Sequence, residues 1–221
     1  MSFAADRRTL DRVPEQFHRP VRRPPESFDN IVGAADPAEQ ARVAHATAAA
    51  LLERTRRDET GETAERLIAF ASEHGIDEIA ELWSHAPARS LPGALWRLYL
   101  LQIAIRSDAT TTAMLYERGR VELRSADAVI AGAPAPAGPG ELVALVDTIL
   151  RGVFRGDFAV ALDRAAAYCR VQASGATHTA DDYEATEPGR ASDLTRRALR
   201  LSTYADDLTA SASAWRRGAL T

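Results

Sequence analysis

Beyond residue 36, apolar residues recur mostly at steps of three and four, the spacing of amphipathic helices. The pattern is densest from Pro92 to Arg106. Ser90 is placed to cap this segment, and Pro92 falls in its first turn, where a missing N–H costs nothing. Leu91, Ala94, Leu95, Trp96, Leu98, Tyr99, Leu100, Leu101, Ile103 and Ile105 cover nearly every side. A helix apolar all round is normally buried. At about fifteen residues it falls short of the roughly 20 that a bilayer span needs. The spacing therefore predicts a core helix over about 92–106, wrapped by its neighbours. Arg97 lies mid-helix, so it must reach solvent or find a partner.

The flanking pattern supplies the wrapping. Asp36-Pro37-Ala38-Glu39 is a helix start, with a helix expected to Arg57, a face of Val43, Thr47, Ala50 and Leu51, and Ala44, Ala48 and Leu52 flanking it. A second helix runs from about Thr60 to His74 with Ala64, Leu67, Ile68 and Ala71 inside, and Gly75 and Ile76 close it. A short third helix, capped by Asp77, turns Ile79, Leu82 and Trp83 inward. Asp108 caps another helix expected to end at Gly119. Glu141 and Pro139 open a helix with a wide apolar face (Leu142, Val146, Ile149, Val153). Asp157 caps the next, expected to end at Gly175, with an acidic loop after it. The last helix is the most regular: Leu194, Ala198, Leu201, Ala205, Leu208, Ala212 and Trp215 repeat with a period of 3.5, which predicts a long packing seam. Its partner is either internal or a second copy of the chain.

Two stretches break the pattern. Residues 1–35 carry Pro14, Pro20, Pro24 and Pro25 among mixed charges and read as a largely disordered tail, with Phe28, Ile31 and Val32 able to tack its end down. Residues 120–138 predict a short helix or an extended strip carrying Val121, Leu123, Val129 and Ile130. The run Ala131–Gly140, AGAPAPAGPG, reads as a crossover inside one bundle rather than a boundary. The expected architecture is all-α: one domain over 36–221, a bundle of seven to eight helices around the 92–106 helix, with a long C-terminal heptad helix.

Composition narrows the chemistry. The net charge of −4 gives no basic field for nucleic acid or membrane surfaces. All 27 basic residues are arginine, so no lysine serves a Schiff base or a phosphate loop. The single cysteine, Cys169, cannot form an intrachain disulfide. No apolar run reaches 18 residues, and no secretory signal stands near Met1. A cytoplasmic protein is expected, with neither membrane nor nucleic acid as a partner.

One group of versatile side chains stands out: Trp83, His85, Arg89, Trp96 and Arg97, around the loop between the third and fourth helices. As a ligand site it would be a pocket for an anionic or aromatic molecule clamped by arginine. The competing reading is structural: both tryptophans fill the core, and Arg89 or Arg97 pairs with Glu78, Glu81 or another helix acid. His18, His45, His74, His85 and His178 show no metal-ligand spacing, so no metal and no cofactor is expected. Cys169 reads as a small buried hydrophobe rather than a nucleophile. Arg196, Arg197, Arg200, Arg216 and Arg217 read as a solvated face, interrupted by Asp206 and Asp207.

The segments HGIDEIAELWSHAPARSLPGALWRLYLLQIAIR and GDFAVALDRAAAYCRVQASGAT resemble a family of uncharacterised actinobacterial helical proteins of about 200 residues, sometimes labelled RNA polymerase beta subunit. The resemblance covers about residues 30–220 and brings no catalytic residues with it. It implies one helical domain and, through that label, an association with transcription. The resulting expectation is a non-catalytic interaction or regulatory protein that pairs with a partner protein or with itself through the C-terminal helix. The alternative is a small-molecule binding protein or an unrecognised enzyme with a pocket near His85.

Overall fold

Capping side chains set several of the helix boundaries. Nine helices form among the described residues, 36–220 other than 75, 76, 124 and 136 of this computed structural model. They are α1 (Pro37–Arg57), α2 (Glu62–His74), α3 (Asp77–Ser84), α4 (Leu91–Ser107), α5 (Ala109–Glu122), α6 (Asp127–Ala131), α7 (Pro139–Arg155), α8 (Phe158–Tyr183) and α9 (Pro188–Arg216). Ser90 Oγ accepts the Gly93 amide at 3.2 Å, Asp108 accepts that of Thr111 at 3.0 Å, and Asp157 those of Ala159 and Val160. The expected tail over 1–35, the Gly75–Ile76 helix end and the Asp77 cap lie outside the described residues and side chains.

The spine is the antiparallel pair α8 and α9. Their register shows in Arg170 Nη1, which donates to Thr209 Oγ1, and in Arg216, which pairs with Asp163. The seam of α9 faces this partner: Ala191, Leu194, Ala198, Ala205, Leu208 and Ala212 are buried. Alanines on both helices let the axes approach, and Phe158 closes the far end edge-on against Trp215 at 4.7 Å. The seam is thus used within one chain. Helices α5, α6 and α7 pack on α8, while α4 packs on α7, α1, α3 and α9.

Several expectations shift. Helix α4 is buried through its first turns, Leu91 to Leu95, but Ile103 and Ala104 face outward. Its far end is wrapped on one side only, where Leu101, Gln102 and Ile105 stay buried. In α1 the buried stripe is Ala44, Ala48, Leu52 and Thr55, one step round from the expected face, and Val43 is exposed. Small side chains win this stripe because they admit α4 and α7 closely. Helices α5 and α8 do not stop at Gly119 and Gly175. Both glycines are interior and buried, because the two helices cross there too closely for a Cβ. Within the 120–138 stretch, Asp127–Ala131 form the short helix α6, and Val129, 83% exposed, does not pack on the core.

The proline-rich run is tied to the bundle. Arg164 Nε and Nη2 both donate to the Ala131 carbonyl at 3.2 Å. The Ala137 amide donates to Glu117 Oε1 at 2.8 Å, and Ala131 and Ala137 are buried. The described residues from Pro37 onward cluster as one unit. No helix among the described residues is long and apolar enough to cross a membrane.

Candidate functional site

The five residues singled out from the sequence do not line one cavity. Trp83 is buried, and its Nε1 donates to Thr47 Oγ1 at 3.2 Å. It packs α3 onto α1. His85 is exposed; its Nδ1 lies 2.9 Å from the Glu81 carbonyl and 3.1 Å from Ser84 Oγ, over an open hollow shared with Gln40 and Leu82. Trp96 is half-buried, its ring 5.6 Å from that of Tyr99.

Arg89 and Arg97 do meet, on a carboxylate. Arg89 Nε donates to Asp207 Oδ1 at 3.0 Å, and Arg97 Nη2 stands 3.0 Å from Asp207 Oδ2. Asp207 and Arg97 are only 9% and 15% exposed, whereas Arg89 is 64% exposed. Arg97 also donates from Nη1 to the Gly93 carbonyl at 3.2 Å and lies over the Tyr204 ring at 5.2 Å. Its Nε has no partner. This node clamps α4 and the loop before it to α9. The pairing acid is Asp207, which lies on the stripe Tyr204, Asp207, Ser211 beside the seam. A carboxylate at that helical position calls for a cation, and this signal was available in the sequence.

A cleft of about 360 Å³ opens beyond Tyr204, between α4, α8 and α9. One wall is apolar: Leu100, Leu101, Ala104 and Ile105 from α4, Leu201 from α9. Arg197 and Arg200 also line it, with Asp108, Tyr168 and Gln172. Residues 197, 201 and 204 share one face of α9 by their spacing of four and three. Among the described residues neither Arg197 nor Arg200 forms an ion pair within 4.0 Å.

Thr112 organises the cleft's polar wall from behind. Its Oγ1 accepts from Arg197 Nη2 at 3.2 Å and its carbonyl accepts from Gln172 Nε2 at 2.7 Å. Gln172 is buried and its Oε1 has no partner. Tyr168 stacks on Tyr116 with centroids 5.6 Å apart. Burial pushes the Tyr168 phenol well above its ordinary range, so it stays neutral beside the cleft. Asp108 sits below the usual carboxylate range, chiefly through the Thr111 amide and hydroxyl, with Arg197 adding to this. At neutral pH the polar wall therefore carries two cations, one anion and an uncharged phenol.

Such an arrangement suits a molecule with an anionic head and an apolar body. It supplies guanidinium donors for the head and hydrocarbon for the remainder. Among the described residues no three His, Cys, Asp or Glu side chains come together as a metal site. Comparison with known proteins leaves the geometry to speak for itself, since no family model, curated protein or solved structure matches the chain.

Proposed function

We propose that this protein binds a small anionic, largely apolar molecule in the cleft between α4, α8 and α9, as a non-catalytic binding or regulatory protein. The observation that carries the reading is the pair Arg197 and Arg200, neither in an ion pair within 4.0 Å among the described residues, on a cleft of about 360 Å³ whose α4 wall is apolar. That volume lies within the range of about 300–1,000 Å³ typical of small-molecule sites. The pocket expected near His85 moves by this reading to the other side of Tyr204. A regulatory role, with the bound molecule as its signal, is the form in which the interaction reading is retained. Self-association through the α9 seam gains no support, because α8 covers that seam.

Titration calorimetry with dodecanoate, below its micelle-forming concentration, tests the reading. Wild type is expected to bind. Arg200→Gln should weaken binding about tenfold, the weight of one hydrogen bond to a charged group. Ala104→Trp, which fills the cleft from an exposed position of α4, should abolish it. No binding by wild type, or equal binding by all three proteins, would overturn the assignment.

A further inference from the structure

The charge inventory of the cleft says more about the ligand than its size does. Arg197 and Arg200 contribute two positive charges. Asp108 lines the same cleft and contributes one negative charge. Ser107 and the Tyr168 phenol are uncharged, and the remaining α4 and α9 lining is Tyr204 and hydrocarbon. The net surplus is one positive charge. A head with a single negative charge balances it; a head with two leaves one charge uncompensated and close to the Asp108 carboxylate. Guanidinium groups match carboxylate and phosphate alike through paired, planar N–H donors, so charge rather than geometry separates the two heads.

Asp108 is not free to swing away. It is the N-cap of α5, with its Oδ1 held on the Thr111 amide at 3.0 Å. Thr112, the next residue, anchors both Arg197 and Gln172. The first turn of α5 thus fixes one cation and the sole anion of the cleft together. Resting on the ligand-binding reading above, we infer that the cleft selects an apolar monocarboxylate, and that Asp108 discriminates against dianionic heads such as phosphomonoesters on the same hydrocarbon body.

The test compares dodecanoate with dodecyl phosphate at about pH 8, where a phosphomonoester carries its second charge. The proteins are wild type and Asp108→Asn. Asparagine caps helices as well as aspartate does, so α5 keeps its start; Asp108→Ser, another good cap, serves as a second variant, and circular dichroism checks that each is folded. Wild type should prefer the carboxylate. Asp108→Asn should shift the ratio of the two affinities toward the phosphate roughly fivefold, the weight of one solvent-screened unit charge at contact distance. If wild type binds the phosphate as tightly as the carboxylate, or if both folded variants leave the ratio unchanged, the selectivity claim is overturned while ligand binding stands. If neither amphiphile binds wild type, the ligand-binding reading fails and this inference with it.

Discussion

Gly119 of α5 and Gly175 of α8 face each other where the two helices cross. A Cβ built on either would lie 2.9 Å from the backbone nitrogen of the other, and would overlap the carbonyl oxygen of Val171 or Leu115. The obstacles are backbone atoms of helices, so no rotamer change relieves them. Each glycine is the condition for the other's position. This crossing in turn sets the place of Thr112, two turns earlier on α5, and so of the cleft's polar wall.

Gly175→Ala should therefore destabilise the protein by about 2–3 kcal/mol, as overpacking against a rigid neighbour does. Helix propensity alone predicts the opposite sign, a gain of up to about 1 kcal/mol. Gly189→Ala provides the contrast: nothing lies within 4 Å of a Cβ there, and it should be neutral or stabilising. The urea midpoint should fall for Gly175→Ala and stay level or rise for Gly189→Ala. A Gly175→Ala protein as stable as wild type would mean that the crossing is looser than described.

The Asp207 clamp makes a second asymmetric prediction. Asp207→Asn keeps the shape but leaves Arg97, only 15% exposed, without its counter-charge. Removing one partner of a buried ion pair costs about 3–5 kcal/mol, and the residual exposure places this case near the lower end. Arg89→Ala removes a side chain that is 64% exposed, and its loss should cost less than about 1 kcal/mol. Chemical denaturation of both variants checks the order. Equal losses would mean that both arginines hold α9 from the solvent side.

These cases show which part of the molecule could be read from residue types. The α9 seam was legible because a 3.5-residue period admits one face only, and Leu194, Ala198, Ala205, Leu208 and Ala212 are all buried on it. Caps at Ser90, Asp108 and Asp157 were legible because their chemistry is local. Gly119 and Gly175 misled because glycine ends a helix and also permits close crossing, and only the partner backbone distinguishes the two uses. The face of α1 was displaced because a run of alanines gives no amphipathic contrast. At the candidate site, Arg89 and Arg97 meet on Asp207, more than a hundred residues on; its place beside the seam called for a cation without saying which. Arg200 is exposed, as a solvated face implies, and Arg197 is half-buried; the cleft beside them was not legible, since an arginine over a cleft and one over bulk water have the same sequence signature.

Glu117 carries a third prediction, about the proline-rich run. Its carboxylate is held by Arg120, with Nη2 at 2.7 Å, and it accepts the Ala137 amide. The Arg120 hydrogen bond is the main cause of its lowered pKa, with the Ala137 amide assisting. A carboxylate depressed in the folded state contributes stability above its unfolded pKa and loses it as pH falls through the folded value. Glu117→Ala should raise hydrogen exchange at the Ala137 amide toward the unprotected rate, while amides in the α8–α9 seam keep their protection. Acidification of wild type below the ordinary carboxylate range should loosen the same amide. Unaltered exchange in Glu117→Ala would show that the run is held by packing alone.

Cys169 gives the last prediction, at the alkaline end. Its thiol is completely buried in α8, and burial raises its pKa from 9.0 to about 12. The sign follows from linkage: the folded state keeps the proton where the unfolded state has already released it. The contribution is full below about pH 9 and is lost as pH rises toward about 12. Tyr116, raised by burial to about 12, and Tyr168, raised further, act in the same direction above their ordinary value of 10. Stability should accordingly fall as pH rises from about 8 to about 10, and Cys169 alone accounts for a slope of up to about 1.4 kcal/mol per pH unit. Cys169→Ala removes that share of the slope while the tyrosine share remains. The thiol should also resist a soluble disulfide reagent in the native protein and react at the rate of unfolding. Rapid labelling at neutral pH, or a pH slope identical in the variant, would show that α8 opens at this position and that Cys169 is not sealed in the core.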